Sequence, residues 1–141
     1  MRSIVVDAGP MIALFDRDDA HHARAGDFLR RVGETRLITT SLVVGEVAAM
    51  LADIQPSLFS FMDWLSASVE IDDALREDLP RIIAIMRKYS DLPADLADAS
   101  LVALCERRGI SMVASIDRDF DVYRLPRARK FKNLFLDQGE T

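Results

Sequence analysis

Cysteine, histidine and long apolar runs are scarce in this chain, and each scarcity excludes a class of protein. The single cysteine, Cys105, cannot form an internal disulfide, and its apolar helical surroundings predict a buried position. The two histidines, His21 and His22, are adjacent and point in different directions on a helix, so they make a poor metal pair. No apolar run reaches the roughly 18 residues that span a bilayer, and Asp7 comes too early for a signal peptide. We therefore expect a cytoplasmic protein with no membrane partner.

Positive charge is also in short supply, except near the C-terminal end. The chain has 23 acids against 18 bases and a formal net charge of -5, so the overall balance does not indicate a nucleic-acid binder. Residues 123–136 nevertheless contain no acid and several bases, namely Arg124, Arg127, Arg129, Lys130 and Lys132. This stretch either holds a nucleic-acid backbone or forms a solvated surface, and the sequence does not favour one over the other.

Apolar periodicity predicts strands that alternate with helices. Strands are predicted at 3–6, 36–39, 68–71, 111–115 and 133–136, and helices at 19–32, 41–51, 57–65, 74–89 and 93–107. Ser41 is expected to cap its helix, and Pro80 interrupts the helix 74–89, whose start is therefore expected at 74 or at Pro80. Parallel neighbours need helical crossovers, so this order predicts an α/β fold with a parallel sheet covered on both faces. No repeat or linker divides the chain, and a single domain over residues 1–141 is expected.

Two acids follow predicted strands. Asp7 comes directly after the first strand and Asp117 after the fourth. Functional groups of open α/β sheets gather beyond the carboxyl ends of the strands, so these carboxylates are expected at one edge of the sheet. As an equally good structural explanation, Asp7 can be the N-cap of a short helix after Gly9-Pro10.

Two other acids lie on predicted helices among apolar residues. Glu46 shares a helical face with Val43 and Met50, and Asp98 shares one with Leu101. A charge on a buried stripe is costly unless it is paired or binds a cation, so both residues are expected to belong to a site. Asp95 lies one turn before Asp98, where the helix dipole favours a carboxylate anyway, and a structural role explains it equally well.

Three acids alternate after the fourth predicted strand, at Asp117, Asp119 and Asp121. An EF-hand calcium loop that begins at Asp117 would need Gly and Glu where this chain has Val122 and Ala128, so that site is excluded. Asp117 is nearest the strand end and is the best ligand candidate. Asp119 is the second, and Asp121 is expected to be solvated.

Together these acids predict a divalent-metal site. Carboxylates that gather at one sheet edge repel one another unless a cation offsets their charge. Oxygen ligands without a Cys or His cluster favour Mg²⁺ or Mn²⁺ over zinc. The predicted catalytic and metal-binding residues are Asp7, Glu46, Asp98 and Asp117, with Asp119 as a fifth candidate ligand.

Four segments in order resemble the PIN domain family, and within it the VapC-like ribonuclease toxins. They are IVVDAGPMIALFD, SLVVGEV, PADLADASLVALCERRG and VASIDRDFD, and they extend over essentially the whole chain. The resemblance implies a three-layer α/β/α fold with a central parallel sheet of four to five strands. It also implies a Mg²⁺- or Mn²⁺-dependent endoribonuclease, a homodimer and a small antitoxin partner. It carries over the same four acids and places a hydroxyl, Ser115, just before the last of them.

In the implied mechanism, the carboxylates hold one or two metal ions that activate water for phosphodiester hydrolysis. The residues expected to contact RNA are Ser115, Arg124, Arg127, Arg129 and Lys130. Two alternatives stay open: a degenerate PIN-type module that binds RNA without cleaving it, and an RNA-processing nuclease without an antitoxin. An RNase H-like enzyme is disfavoured because a helix follows each early strand, and a receiver-like phosphate sensor because Asp7 stands alone after its strand.

Overall fold

A parallel sheet of five short strands lies at the centre of the fold. The computed structural model describes residues 2–92 and 94–137. In chain order the strands are β1 (Ser3–Val6), β2 (Arg36–Thr40), β3 (Val69–Asp72), β4 (Met112–Ala114), β5 (Arg124–Leu125), β6 (Arg129–Lys130) and β7 (Lys132–Asn133). Five of them form one parallel sheet in the order β3-β2-β1-β4-β7, and β5 pairs with β6 in a separate antiparallel hairpin.

Helices cover both faces of this sheet. They are α1 (Ala8–Phe15), α2 (His22–Val32), α3 (Ser41–Leu51), α4 (Gln55–Ser68), α5 (Leu75–Lys88) and α6 (Leu96–Arg108). The connections from β1 to β2 and from β2 to β3 contain α1 to α4 and move toward one edge of the sheet. The connection from β3 to β4 contains α5 and α6 and runs in the opposite direction, past β1 to its other side. Right-handed crossovers in opposite directions place their helices on opposite faces, which confirms the predicted three-layer α/β/α fold. None of the helices within residues 2–92 and 94–137 is both long and apolar enough to cross a membrane.

Burial follows the position of each strand in the sheet. Ile4, Val5 and Val6 of the central strand β1 are at most 2% exposed, because helices cover both of its faces. At the edge strand β3, by contrast, Ile71 is 42% exposed. Cys105 of α6 is fully buried, as predicted, and burial raises the pKa of its thiol.

Several element boundaries differ from those that the sequence predicts. Thr40, not Ser41, caps α3, because the Thr40 hydroxyl accepts from the backbone N–H of Val43. Pro80 lies inside α5, which begins at Leu75, so the alternative start at Pro80 is wrong. Sequence periodicity gave no sign of the β5–β6 hairpin, and β7 begins one residue before the predicted fifth strand. The predicted helix start at Pro93 lies outside the described residues.

The sheet changes winding direction between β1 and β4, and the chain is packed tightly at that point. The backbone N–H of Asp7 donates to the carbonyl of Ala114 at 2.9 Å, which joins the carboxyl ends of the two strands. A Cβ at Gly9, near the start of α1, would lie 2.7 to 3.0 Å from side-chain atoms of Ile116. The absence of a side chain at Gly9 therefore lets α1 begin against the segment that follows β4. In open α/β sheets this switch point is where functional groups converge.

We predict opposite effects of alanine at two glycines. Gly9→Ala should lower the free energy of unfolding by about 1–3 kcal/mol, because the new methyl group overpacks against Ile116. Gly45→Ala, on an exposed part of α3 with nothing within 4 Å of its Cβ, should raise it by about 0.5–1 kcal/mol. Urea unfolding of both variants measures the difference. Equal effects would contradict the close approach of α1 to Ile116.

Candidate active site

Asp7 is the most deeply buried acid of the predicted site. It is 7% exposed, and it caps α1 as well as ending β1, so both of its sequence interpretations hold structurally. One carboxylate oxygen accepts from the N–H of Ala8 at 2.8 Å, and the other accepts from the hydroxyl of Ser115 at 3.0 Å. Its pKa is raised to about 6: burial is the largest cause, the hydrogen bonds from Ala8 and Ser115 oppose it, and the charges of Asp117 and Glu46 add to it.

Asp98 is half-buried in the first turn of α6, as its apolar helical face predicts. Burial is the largest cause that raises its pKa to about 8, and the charges of Asp7, Asp95, Asp117 and Asp119 follow. The hydroxyl of Tyr123 lies 3.5 Å from one oxygen of its carboxylate and can donate to it. Asp98 therefore lies within the field of the other acids, although it comes from a different element.

The acids of the loop after β4 occupy the open side of the cluster. Asp117 is exposed, and its carboxylate accepts from the N–H of Asp119 at 2.9 Å. Asp119 is half-buried, and burial together with the charge of Asp117 raises its pKa. Asp121 is exposed and forms an ion pair with Arg118, which agrees with the expected solvated position. The exposed Asp95 caps α6 by accepting from the N–H of Asp98.

Glu46 occupies a different environment from the one its helical periodicity predicts. The buried side of α3 consists of Val43, Val47 and Leu51, whereas Glu46 is exposed and Met50 is 64% exposed. The expectation of a buried charge at Glu46 is therefore wrong, because of the three residues on that face only Val43 is buried. Its electrostatic link to the site remains: its charge raises the pKa of Asp7, and burial together with Asp95 raises its own pKa.

The acidic cluster lacks ion-pair partners in the part of the chain that the structure describes. Among residues 2–92 and 94–137, no Lys, Arg or His forms an ion pair with Asp7, Glu46, Asp98, Asp117 or Asp119. In the same part of the chain no three acidic, His or Cys side chains already stand in a metal-binding arrangement. The donors are nevertheless oxygens of unpaired carboxylates whose charges repel, which suits a hard divalent cation.

Three neutral residues that the sequence did not mark as site residues hold these acids in place. Asn133 bonds to both the N–H and the C=O of Ser115. The hydroxyl of Thr40, at the start of α3, is 2.9 Å from that of Ser100 in α6, which donates to the carbonyl of Ala97. The Thr40–Ser100 pair thus ties together the two helices that carry Glu46 and Asp98. Sequence patterns gave no signal for these residues because small polar side chains are common in loops and caps.

Of the predicted substrate-binding residues, Ser115 and Arg124 bond to other groups of the protein, and the remaining three are exposed. Ser115 is fully buried and its hydroxyl donates to Asp7, so this side chain is not exposed on the protein surface. Arg124 uses its guanidinium to donate to the backbone carbonyls of residues 121, 122 and 123. Arg127, Arg129 and Lys130 are exposed on the β5–β6 hairpin and form no ion pair among the described residues.

The hairpin leads away from the acidic cluster along α6. It follows Tyr123, whose hydroxyl contacts Asp98, and its turn lines a cavity of about 280 Å³. The other residues that line this cavity are Arg81, Lys88 and Glu106. Arg127, Arg129 and Lys130 are thus close to the acids in the sequence, yet the described ion pairs do not join them to those acids.

Comparison with known proteins identifies the fold and the family pattern. A model of the PIN domain family matches residues 4–125. The structure of VapC20 from Mycobacterium tuberculosis, a sarcin-ricin loop cleaving toxin, superimposes with a TM-score of 0.76 at 20% sequence identity. The superposition covers 84% of this chain and 93% of VapC20, and at this identity the likeness shows the fold. A search of curated proteins found no match.

We predict that the metal-free protein loses stability as the pH rises. A carboxyl whose pKa is raised in the folded state stabilises the fold while it is protonated. For Asp98 this contribution is lost between the unfolded pKa of 3.8 and the folded pKa of about 8. Asp98→Asn should therefore have a higher Tm than the wild type at the upper end of this range, and a flatter pH dependence.

Thermal unfolding in EDTA across this pH range measures the effect. Asp63→Asn, at an exposed position of α4, is the matched control and should follow the wild type. An equally steep loss of stability in Asp98→Asn would contradict the raised pKa of Asp98.

Proposed function

The chain belongs to the PIN domain family, and we propose that it is an endoribonuclease that hydrolyses RNA phosphodiester bonds at its acidic cluster. The observation that carries the proposal is the convergence of carboxylates, with Asp7 buried and Asp98 half-buried, near the β1–β4 switch point. Asp7 and Asp98 come from opposite layers of the fold, yet each has a raised pKa to which other acids of the cluster contribute. Such an arrangement costs stability, and a catalytic site is the usual reason to retain it.

We propose that the cofactor is Mg²⁺ or Mn²⁺, since PIN nucleases generally use divalent metal ions. When bound, such an ion supplies activation of water and neutralisation of the phosphate charge. Asp7, Asp98 and Asp117 would hold it, and Asp119 is a further candidate ligand. Glu46, on the exposed side, would either complete this ligand set or accept a hydrogen bond from the attacking water and orient it. The hydrogen bonds from Ala8 and Ser115 keep the Asp7 carboxylate fixed while leaving further lone pairs on both oxygens.

The hairpin β5–β6 would bind the RNA backbone. Arg127, Arg129 and Lys130 are exposed there, and the acids nearby would otherwise repel a polyanion. Arg124 has a structural part in this proposal, because its guanidinium holds the carbonyls of the turn before the hairpin.

We further propose that the enzyme is the toxin of a toxin–antitoxin pair and forms a homodimer. The fold likeness to a toxin supports the first part. Exposed apolar side chains on α3 and α4, among them Met50, Phe59 and Met62, offer a surface for a protein partner. A small open reading frame beside the gene whose product relieves growth arrest would support the toxin role, and light scattering would establish the oligomeric state. A solitary gene would favour RNA processing instead.

We predict that Asp98→Asn abolishes RNA cleavage while the protein stays folded. The rate of RNA cleavage should fall by at least about 100-fold, because loss of a group that only supports a metal ligand already lowers activity by about 10- to 100-fold. Cleavage of mixed RNA with Mn²⁺ and with EDTA is the measurement, and Asp63→Asn is the matched control. Equal cleavage by wild type and Asp98→Asn, insensitive to EDTA, would exclude a metal-dependent reaction at this site. RNA binding without cleavage by the wild type would favour the degenerate binding module.

We predict that Arg129→Ala/Lys130→Ala weakens RNA binding without loss of fold. For each phosphate that the variant no longer binds, the slope of log Kd against log salt concentration should fall by about 0.7 for single-stranded RNA. Fluorescence anisotropy at several salt concentrations measures the slope. Arg17→Ala removes an exposed base outside the hairpin and should leave the slope unchanged. An unchanged slope in the double variant would mean that the hairpin is only a solvated surface.

A further inference from the structure

Asn133 is a buried polar residue whose side chain bonds to backbone groups on both sides of the sheet's end. It lies at the end of β7, is 2% exposed, and pairs in register with Val113 of β4. Its carboxamide oxygen accepts from three backbone N–H groups, those of Ser115 at 3.2 Å, Phe135 at 3.1 Å and Leu136 at 3.3 Å. Its amide nitrogen donates to the carbonyl of Ser115 at 3.1 Å. The whole side-chain amide is therefore engaged with backbone.

These bonds replace backbone pairing at the point where the sheet ends. The last ladder bond between β7 and β4 runs from the N–H of Leu134 to the carbonyl of Val113 at 2.9 Å, after which the chain turns away. Ser115 lies beyond that bond, fully buried, and would be left with an unpaired N–H and C=O. The carboxamide of Asn133 supplies both partners, so it fixes the Ser115 peptide as a neighbouring strand would.

The fixed backbone of Ser115 sets the direction of its hydroxyl. That hydroxyl donates to one oxygen of Asp7 at 3.0 Å, while the N–H of Ala8 donates to the other at 2.8 Å. Each carboxylate oxygen thus has one donor, and the plane of the carboxylate is defined by two rigid elements. Removal of the Ser115 hydroxyl bond would leave the buried carboxylate anchored on one side only.

We propose that Asn133 is a positioning residue of the site, which acts through Ser115 on the orientation of the Asp7 carboxylate. This inference rests on the proposed function, because it assigns to Asn133 the preparation of Asp7 as a metal ligand. Outer-shell partners of this kind typically change metal affinity by about 10- to 100-fold when they are removed. A purely structural Asn133, which only anchors the turn at Phe135, would change stability and leave metal affinity alone.

A double-mutant cycle on the full chain separates these roles. The Kd for Mn²⁺ is measured by calorimetry for the wild type, Ser115→Ala, Asn133→Ala and the double variant. Each single change should raise the Kd about 10-fold or more, and the double variant should be no weaker than the weaker single one, because both changes break one chain of contacts. Leu65→Ala, a cavity in α4 away from the site, should lower the Tm and leave the Kd unchanged.

Two results would overturn the proposal: a wild-type Kd in Asn133→Ala, or single effects that multiply in the double variant. Asn133→Ser replaces the alanine variant if the latter does not fold, since it keeps a polar group but cannot reach both groups of Ser115. If the wild type neither binds Mn²⁺ nor cleaves RNA, the proposed function fails. Crystal structures of the metal-free wild type and of Asn133→Ala then test the positioning role independently of the proposed function. A Ser115–Asp7 hydrogen bond that persists in Asn133→Ala contradicts this role, and loss of that hydrogen bond supports it.

Discussion

Burial of carboxylates beside other acids, at the carboxyl end of β1 and in the first turn of α6, is the constraint that the surrounding structure accommodates. Asp7 and Asp98 both have raised pKa values, and burial is the largest cause for each. A nearby Arg or Lys would relieve this cost, yet the described ion pairs of Arg107 and Arg108 lie at the opposite part of the sheet, with Glu70, Asp72 and Asp78. Arg107 and Arg108 therefore stabilise the edge strand β3, and Arg118, which follows Asp117, pairs with Asp121 and Asp137 instead of the acids of the cluster.

Neutral donors hold the acids instead of cations. A backbone N–H and a hydroxyl bond to Asp7, and a phenol lies near Asp98. Such groups orient a carboxylate without cancelling its charge, so the attraction for an added cation is retained. The same logic applies between elements, where the buried Thr40–Ser100 pair fixes α3 against α6 without introducing a charge. The same contacts thus hold the carboxylates in position and leave their negative charge unbalanced.

Sequence patterns predicted most of the alternation of strands and helices, because it depends on local periodicity, but α1 entered only as the short helix that Asp7 would cap. They failed for the exposure of Glu46, since a helical period identifies the residues that share a face but not whether that face meets the core. They also missed the β5–β6 hairpin, whose turn places Arg127 and Ala128 at positive φ where Asn or Gly would normally give the signal. Asn133 could not be found from local pattern at all, because its partner Ser115 is 18 residues away and lies beside it only once β7 joins the sheet.

The bases of the β5–β6 hairpin form no ion pair with the acids of the cluster among the described residues. Such an ion pair would compete with a bound cation for the carboxylates. A Lys or Arg within the cluster would pair with the carboxylates and lower their pKa values, and it would occupy the position that a divalent cation would take. A polyanionic substrate nevertheless needs positive charge within reach. In the proposed function the hairpin would meet both needs, because Tyr123 at its beginning contacts Asp98 while Arg129 and Lys130 are exposed on β6. Arg127 lies in the turn of the hairpin with a positive φ, a conformation that glycine adopts at lower cost. An arginine at this position therefore adds a positive charge to the hairpin at a cost in backbone strain.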